Sequence, residues 1–153
     1  MFTNILLPVD GTSPSLRAAR QGIQLAKTLS ATVTVLTVTT PWAAYFTREL
    51  AVVVPEVVIP KVEYDYKRET TAACILQNVV ADARCCGVQA KSLHRCHRDP
   101  YRAIIDVAEH EGCDLIVMGC HRDKGIGTPL LGSETMKVMT HSSIPLLVYR
   151  LNP

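Results

Sequence analysis

A glycine and a serine near the C-terminus stand where a helix is predicted to begin, and these residue types favour the binding of an anion. Gly132 and Ser133 precede Glu134 and Thr135, and the helix is expected from about Ser133 to His141. The first backbone N–H groups of a helix have no partner inside it, and the positive end of the helix dipole lies there, so a phosphate can be held. A glycine turn before a capped helix would look the same. On chemistry alone, both interpretations stay open.

Two common phosphate-binding motifs are excluded by spacing. The pattern G-x-x-x-x-G-K-[ST] is absent, because the residue after Gly132 is serine and not lysine. Gly125, Gly127 and Gly132 miss the spacing of G-x-G-x-x-G, and they follow the predicted fourth strand, not the first.

Asp10 follows the first predicted strand, and a carboxylate at that place could accept a phosphoryl group. Such chemistry needs a neighbouring acid to hold Mg²⁺, whereas position 11 is glycine and the next acidic residue is Glu49. A phospho-acceptor role is therefore disfavoured.

The six cysteines and several histidines give no metal or nucleophile pattern. Pairs such as Cys85-Cys86 and Cys120-His121, and Cys96 beside His97, lack the C-x₂₋₄-C spacing of zinc sites. Adjacent Cys and His side chains seldom face one another, so a Cys–His nucleophile is not expected. The N-terminal sequence lacks a basic leader, so we expect a reducing, cytoplasmic compartment with all six thiols free and mostly buried.

The elements that must position these residues alternate between strand and helix. Ser13 is expected to cap the first helix and Pro14 to occupy its first position. No assignment is made for Thr40–Tyr64. The predicted strands are Thr3–Val9, Ala31–Thr39, Val88–His94, Asp114–Met118 and Leu146–Arg150. The predicted buried helix faces are Leu16, Ala19, Ile23 and Ala26; Ala73, Leu76, Val79, Val80 and Ala83; and Tyr101, Ile104, Ile105 and Ala108. This alternation predicts an α/β fold with a doubly wound, open, five-stranded parallel sheet.

Length and charge limit the partners. The 153 residues suit one domain, 1–153, and 16 Lys and Arg against 14 Asp and Glu give a net charge of +2. That balance does not favour nucleic acid. No apolar run reaches the roughly 18–20 residues that span a bilayer, so no membrane partner is expected.

Three segments together resemble the universal stress protein family over the whole chain. They are ILLPVDGT with a following serine, VTVLTV, and DLIVMG with LLGSETMKVMTHSSIPLLVYR. The family's nucleotide motif is Gly, two residues, Gly, nine residues, then Gly-Ser or Gly-Thr. Gly119 and Gly132-Ser133 fall at its first and last positions, but Arg122 replaces the second glycine.

The resemblance implies the strand order 3-2-1-4-5, helices on both faces and an adenine-nucleotide α-hydrolase-like fold. It implies that Asp10 accepts hydrogen bonds from ribose and that the Val38 backbone reads adenine. Gly119 would let ribose and phosphates pass close to the chain, and the residues from Gly132 would hold the phosphates. The implied nucleotide-binding set is Pro8, Val9, Asp10, Val38, Met118, Gly119, Arg122, Gly132, Ser133, Glu134 and Thr135.

The resemblance further implies a stress-response sensor or switch that binds ATP or a related adenine nucleotide, with Mg²⁺ or Mn²⁺ as a possible companion. No suitable general base is present, so ATP hydrolysis is expected to be slow or absent. A homodimer would form through the C-terminal strand Leu146–Arg150. The alternative is a dimeric interaction module without nucleotide, its crevice blocked or altered by Arg122. An enzyme of the wider fold is the weakest interpretation, because no signature of nucleotidyl transfer occurs.

Overall fold

The structure is a computed structural model that describes residues 1–44, 60–120 and 132–150. Within these ranges the strands are β1 (Asn4–Pro8), β2 (Thr32–Thr39), β3 (Ala90–Cys96), β4 (Leu115–Cys120) and β5 (Leu146–Arg150). The helices are α1 (Ser13–Leu29), α2 (Lys61–Cys85), α3 (Pro100–His110) and α4 (Ser133–His141).

The five strands form one parallel sheet in the order β3-β2-β1-β4-β5, which confirms the predicted fold class and strand order. The register brings Pro8 of β1 opposite Leu36 of β2. On the other side of β1, Leu6 lies opposite Ile116 of β4. Because the strand order reverses beside β1, the loops that follow β1 and β4 diverge there and leave an opening at the carboxyl edge of the sheet.

Two apolar layers hold helices on the two faces of the sheet. Leu7 and Val35 pack beneath α1 and α2, whereas Leu6, Leu36 and Ile116 pack beneath α3 and α4; all five are fully buried. Each such side chain contributes about 1.5–3 kcal/mol by leaving water. The helices contribute Ile23 of α1, Leu76 and Val79 of α2, Ile104 and Val107 of α3, and Val138 of α4.

The first helix is capped one residue earlier than predicted. Thr12, not Ser13, is the N-cap, because its backbone is still extended and its hydroxyl accepts the N–H of Ser15. Pro14 is therefore the second helical residue and not the first as predicted; it still lies in the first turn, where a missing N–H costs nothing.

Helix α2 begins at Lys61, inside the stretch that received no assignment. Tyr64 is buried, and its hydroxyl donates to the carbonyl of Thr40, 3.0 Å away. Val62 and Tyr66 are exposed, so this first part of the helix carries no apolar stripe for periodicity to detect. The predicted buried face was wrong at one position, since Ala72 is buried and Ala73 is exposed.

Four strands differ from their predicted limits, and β3 and β4 differ the most, by two residues. β3 starts at Ala90 and not at Val88, because the N–H of Val88 donates to the Ala83 carbonyl and completes the end of α2. β4 runs beyond Met118 to Cys120, since pairing with β5 continues that far.

All six cysteines are free, as predicted, but the expectation that most are buried was wrong. Cys113 and Cys120 are buried, whereas Cys86 is half-buried and Cys74, Cys85 and Cys96 are exposed. Within residues 1–44, 60–120 and 132–150, no group of three or more His, Cys, Asp and Glu side chains is arranged to hold a metal ion. No helix in these same ranges is long and apolar enough to cross a membrane.

Candidate functional site

A crevice of about 300 Å³ opens at the carboxyl ends of β1, β2 and β4. The first turns of α1, α3 and α4 close its sides. Ten of the eleven predicted site residues line it; the eleventh, Arg122, lies outside the described residues. The ten are Pro8, Val9, Asp10, Val38, Met118, Gly119, Gly132, Ser133, Glu134 and Thr135. The fold thus brings together residues that are up to 127 positions apart in sequence, from Pro8 to Thr135. Their role in binding stays a prediction.

Five further lining residues were missed by sequence reasoning: Thr12, Ser15, Leu36, Pro100 and Ile104. Leu36 shares a face of β2 with Val38, so the period-two alternation of a strand could have found it. Pro100 and Ile104 belong to α3, whose place beside the crevice depends on the packing of the crossover from β3.

Asp10 is fixed by the turn that leads into α1. Its Oδ1 accepts the backbone N–H of Thr12 at 2.9 Å and the Thr12 hydroxyl at 2.6 Å. Partial burial raises the pKa of Asp10, but the hydrogen bonds from Ser15 and Thr12 lower it more, so the pKa lies below its ordinary value. The side chain is therefore an ionised acceptor at neutral pH. Gly11 allows the turn because its φ of +82° is strained for other residues.

Gly119 is required by the packing of the protein itself. A Cβ at this position would lie 2.2 Å from the carbonyl oxygen of Pro14 and 2.9 Å from the backbone nitrogen of Ser15. The glycine therefore lets the end of β4 approach the first turn of α1. This contact alone accounts for a glycine at position 119. The presence of glycine here is therefore not by itself evidence that ribose or phosphate lies close to the chain.

Three helix N-termini face the crevice, and two of them are already occupied. The Thr12 hydroxyl accepts an N–H of α1, and Glu134 Oε2 accepts the N–H of Tyr101 in α3 at 3.0 Å. α4 begins after Gly132 without a side-chain cap. The N–H groups of Ser133, Glu134 and Thr135 have no partner within their helix, as at any helix start. Among the described residues, α4 therefore presents the open set of anion donors.

The conformation of Gly132 is ordinary, with φ −51° and ψ 143°. A Cβ there would meet nothing closer than the Thr135 hydroxyl, at 3.9 Å. Its N–H donates to the sulfur of buried Cys120, 3.2 Å away, so this N–H is not one of the open donors.

A larger hollow of about 620 Å³ lies elsewhere, beside the start of β3. It is lined by Thr32, Val33, Arg84, Gly87, Val88, Gln89, Ala90 and Lys91. This is the amino edge of the strands, whereas ligands of open parallel sheets bind at the carboxyl edge. The smaller crevice is therefore the better candidate.

Comparisons with known proteins identify the family of this chain. The sequence model of the universal stress protein family matches residues 1–150. Universal stress protein YxiE of Bacillus subtilis is 32% identical over 152 residues, which cover 98% of this chain and 100% of that protein.

Two solved structures show the same fold. Protein MJ0577, from Methanocaldococcus jannaschii, superposes with a TM-score of 0.78 at 24% identity, covering 100% of this chain and 99% of that one. A universal stress protein in complex with cAMP has a TM-score of 0.71 at 20% identity and covers 97% of each chain. The chain belongs to the universal stress protein family.

Proposed function

We propose that this protein binds an adenine nucleotide, ATP or a relative of it, in the crevice and acts as a sensor or switch in a stress response. The observation that carries the proposal is the N-terminus of α4, which has no side-chain cap and lies at the carboxyl edge of the sheet. The other two helices that begin at the crevice already have side-chain acceptors for an N–H group of their first turn. The cAMP complex of a family relative supports the choice of ligand class.

The base would lie against the apolar part of the crevice. Leu36, Ile104 and Met118 line that part, and the backbone of Val38 at the end of β2 can pair with an adenine edge. Asp10, which is ionised and aimed by Thr12, would accept hydrogen bonds from the ribose hydroxyls.

The phosphates would lie at the start of α4. Backbone N–H groups and the helix dipole stabilise an anion there without a cationic side chain. This suits a crevice whose described lining includes two carboxylates, Asp10 and Glu134, and no lysine or arginine. Any Mg²⁺ or Mn²⁺ would be held chiefly by the phosphates, since both oxygens of Glu134 have donors and Asp10 is assigned to the ribose.

Hydrolysis is proposed to be slow or absent. A general base must be able to take a proton from the attacking water. Glu134 is committed to Tyr101 and Lys137, and Asp10, which Thr12 holds in place, is assigned to the ribose and not to a water beside the phosphates.

The β5 edge of the sheet is proposed to pair with a second copy in a cytoplasmic homodimer. β5 pairs with β4 on one side, and Leu147 is 45% exposed. An exposed apolar edge strand favours pairing with another strand. Analytical ultracentrifugation should show a dimer that Leu147→Glu weakens, whereas a monomeric wild type would contradict this assembly.

A calorimetric titration with ATP and AMP tests nucleotide binding. Wild type should bind, and Gly132→Val should bind at least about tenfold more weakly, because its side chain stands at the phosphate end of the crevice. Gly132→Ala is the matched control. Failure of wild type to bind either nucleotide would refute the proposal. If Arg122→Gly alone binds, the nucleotide-free interaction module is the correct function.

A further inference from the structure

A small cluster of side chains joins α3 to α4 beside the crevice. Glu134 Oε2 accepts the backbone N–H of Tyr101 at 3.0 Å. The ring of the same tyrosine lies 5.5 Å from the ammonium nitrogen of Lys137 and 5.2 Å from the ring of His141, measured to its centroid. We call Tyr101, Glu134, Lys137 and His141 the α3–α4 clasp.

The clasp compensates the charge of Glu134. Its Oε1 lies 2.9 Å from Lys137 Nζ, and its other oxygen accepts the Tyr101 N–H, so both carboxylate oxygens have donors. The two side chains of the ion pair are only 36% and 29% exposed, so solvent screens them incompletely.

The clasp joins the two helices that carry opposite parts of the crevice lining. Pro100 and Ile104, on either side of Tyr101 in α3, line the crevice wall. Ser133 and Thr135, on either side of Glu134 in α4, carry the open N–H donors. The contacts between Tyr101 and α4 therefore fix the distance between the apolar wall and the start of α4.

The helix dipole favours a carboxylate in the first turn of α4, but this advantage does not extend to an anion-binding site. A carboxylate in the first turn of α4 repels an approaching phosphate, so a neutral side chain would serve an anion site better. The structure offers another reason, which is the bond from Glu134 to the backbone of α3.

We propose that Glu134 is a positioning residue that holds the phosphate-binding end of α4 at the correct distance from the base pocket, so that the protein favours a nucleotide over a nucleoside. This role rests on the proposed nucleotide function. Glu134 acts through the α3–α4 clasp and not by contact with phosphate.

Two variants separate positioning from charge. Glu134→Gln removes the charge but keeps an oxygen that can accept the Tyr101 N–H, and it releases Lys137 from its ion pair. Glu134→Val removes both the charge and the acceptor. Glu109→Gln, an exposed position near the far end of α3 that forms no ion pair within the described residues, controls for net charge.

Dissociation constants for AMP and adenosine are measured by calorimetry, with the melting temperature of each variant recorded. Glu134→Gln should bind AMP as well as wild type or up to about threefold more tightly. Glu134→Val should bind AMP about fivefold more weakly or worse, the scale of one lost hydrogen bond. Adenosine binding should stay within about twofold in both variants, because it does not need the α4 donors.

The possible results are distinct. If the valine and glutamine variants both change AMP affinity by the same factor, charge alone matters and the positioning role is wrong. If it loses adenosine and AMP affinity equally, the effect is a general loss of structure and the role is again wrong. If wild type binds AMP and neither variant changes, only the role of Glu134 is refuted. If wild type binds neither ligand, the proposed function fails and this role fails with it.

Discussion

Replacing Gly119 with alanine tests whether this glycine serves the fold or the ligand. The added Cβ would lie 2.2 and 2.5 Å from the carbonyl oxygen and carbon of Pro14 and 2.9 Å from the nitrogen of Ser15. All three neighbours are backbone atoms, which cannot rotate away as a side chain would. Since real Cβ contacts are essentially never below 3.0 Å, β4 and the start of α1 must separate by about 0.8 Å or more.

The cost follows from what that separation disturbs. Overpacking of a close-packed interior costs about 1–3 kcal/mol. Movement of the first turn of α1 also weakens the Thr12 cap, a further contribution of about 1 kcal/mol. A loss near 3 kcal/mol corresponds to a melting temperature lowered by about 6–12 °C in a chain of this size.

Thermal and urea unfolding, followed by circular dichroism, measure the effect. Gly132→Ala is the matched control, because its Cβ has 3.9 Å of clearance and its backbone is suited to alanine. The control should stay within about 1 kcal/mol of wild type, the usual range for a change at an N-cap. If Gly119→Ala melts within 2 °C of that control and yet loses AMP binding, the packing argument is refuted and the glycine serves the ligand.

Three further perturbations test other contacts. Thr12→Ala should cost about 1 kcal/mol by removing the cap of α1, and an NMR titration should show the pKa of Asp10 moving back toward its ordinary value, because the Thr12 hydroxyl bond is lost. Partial burial raises the pKa of Asp114, but hydrogen bonds from Thr3 and the Asn4 N–H lower it more. Asp114 therefore stabilises the fold above the unfolded pKa of about 3.9, and this is lost as pH falls through the lower folded value. Urea unfolding should show a gap between wild type and Asp114→Asn that is steady from pH 7 to 5 and shrinks below about pH 4; a gap that is unchanged at pH 3 would contradict this. Ile116→Ala, at a fully buried position of β4, should cost about 2–5 kcal/mol by the same measurement, and a cost below 1 kcal/mol would show that this layer is loosely packed.

The family resemblance implied the strand order. Sequence periodicity predicted the five strands and most of the buried helix positions, since β-branched or apolar runs alternate with helical patterns. It failed at α2, where the first turns expose Val62 and Tyr66 and are held by the Tyr64 hydroxyl on the Thr40 carbonyl. A single hydrogen bond between distant residues leaves no pattern in the sequence. The cysteine expectation failed for a related reason, because the burial tendency of a residue type does not say which helix face carries Cys74 or Cys85.

The sequence predicted which residues form the site better than it predicted the contacts between them. Family resemblance named ten residues that do share one crevice. It could not show that Gly119 packs against Pro14 or that Glu134 bonds to the backbone of α3, because both depend on how close two elements approach. The wall residues Pro100 and Ile104 were missed, since only the crossover geometry places α3 there.

The hydrogen bond from Gly132 to Cys120 also makes a buried thiol part of the support of α4. It joins residues twelve positions apart, one at the end of β4 and one just before α4, at 3.2 Å. Cys120→Ser would keep an acceptor for this N–H, whereas Cys120→Ala would remove it. A substitution in the sheet would therefore be felt at the start of a helix that lines the crevice.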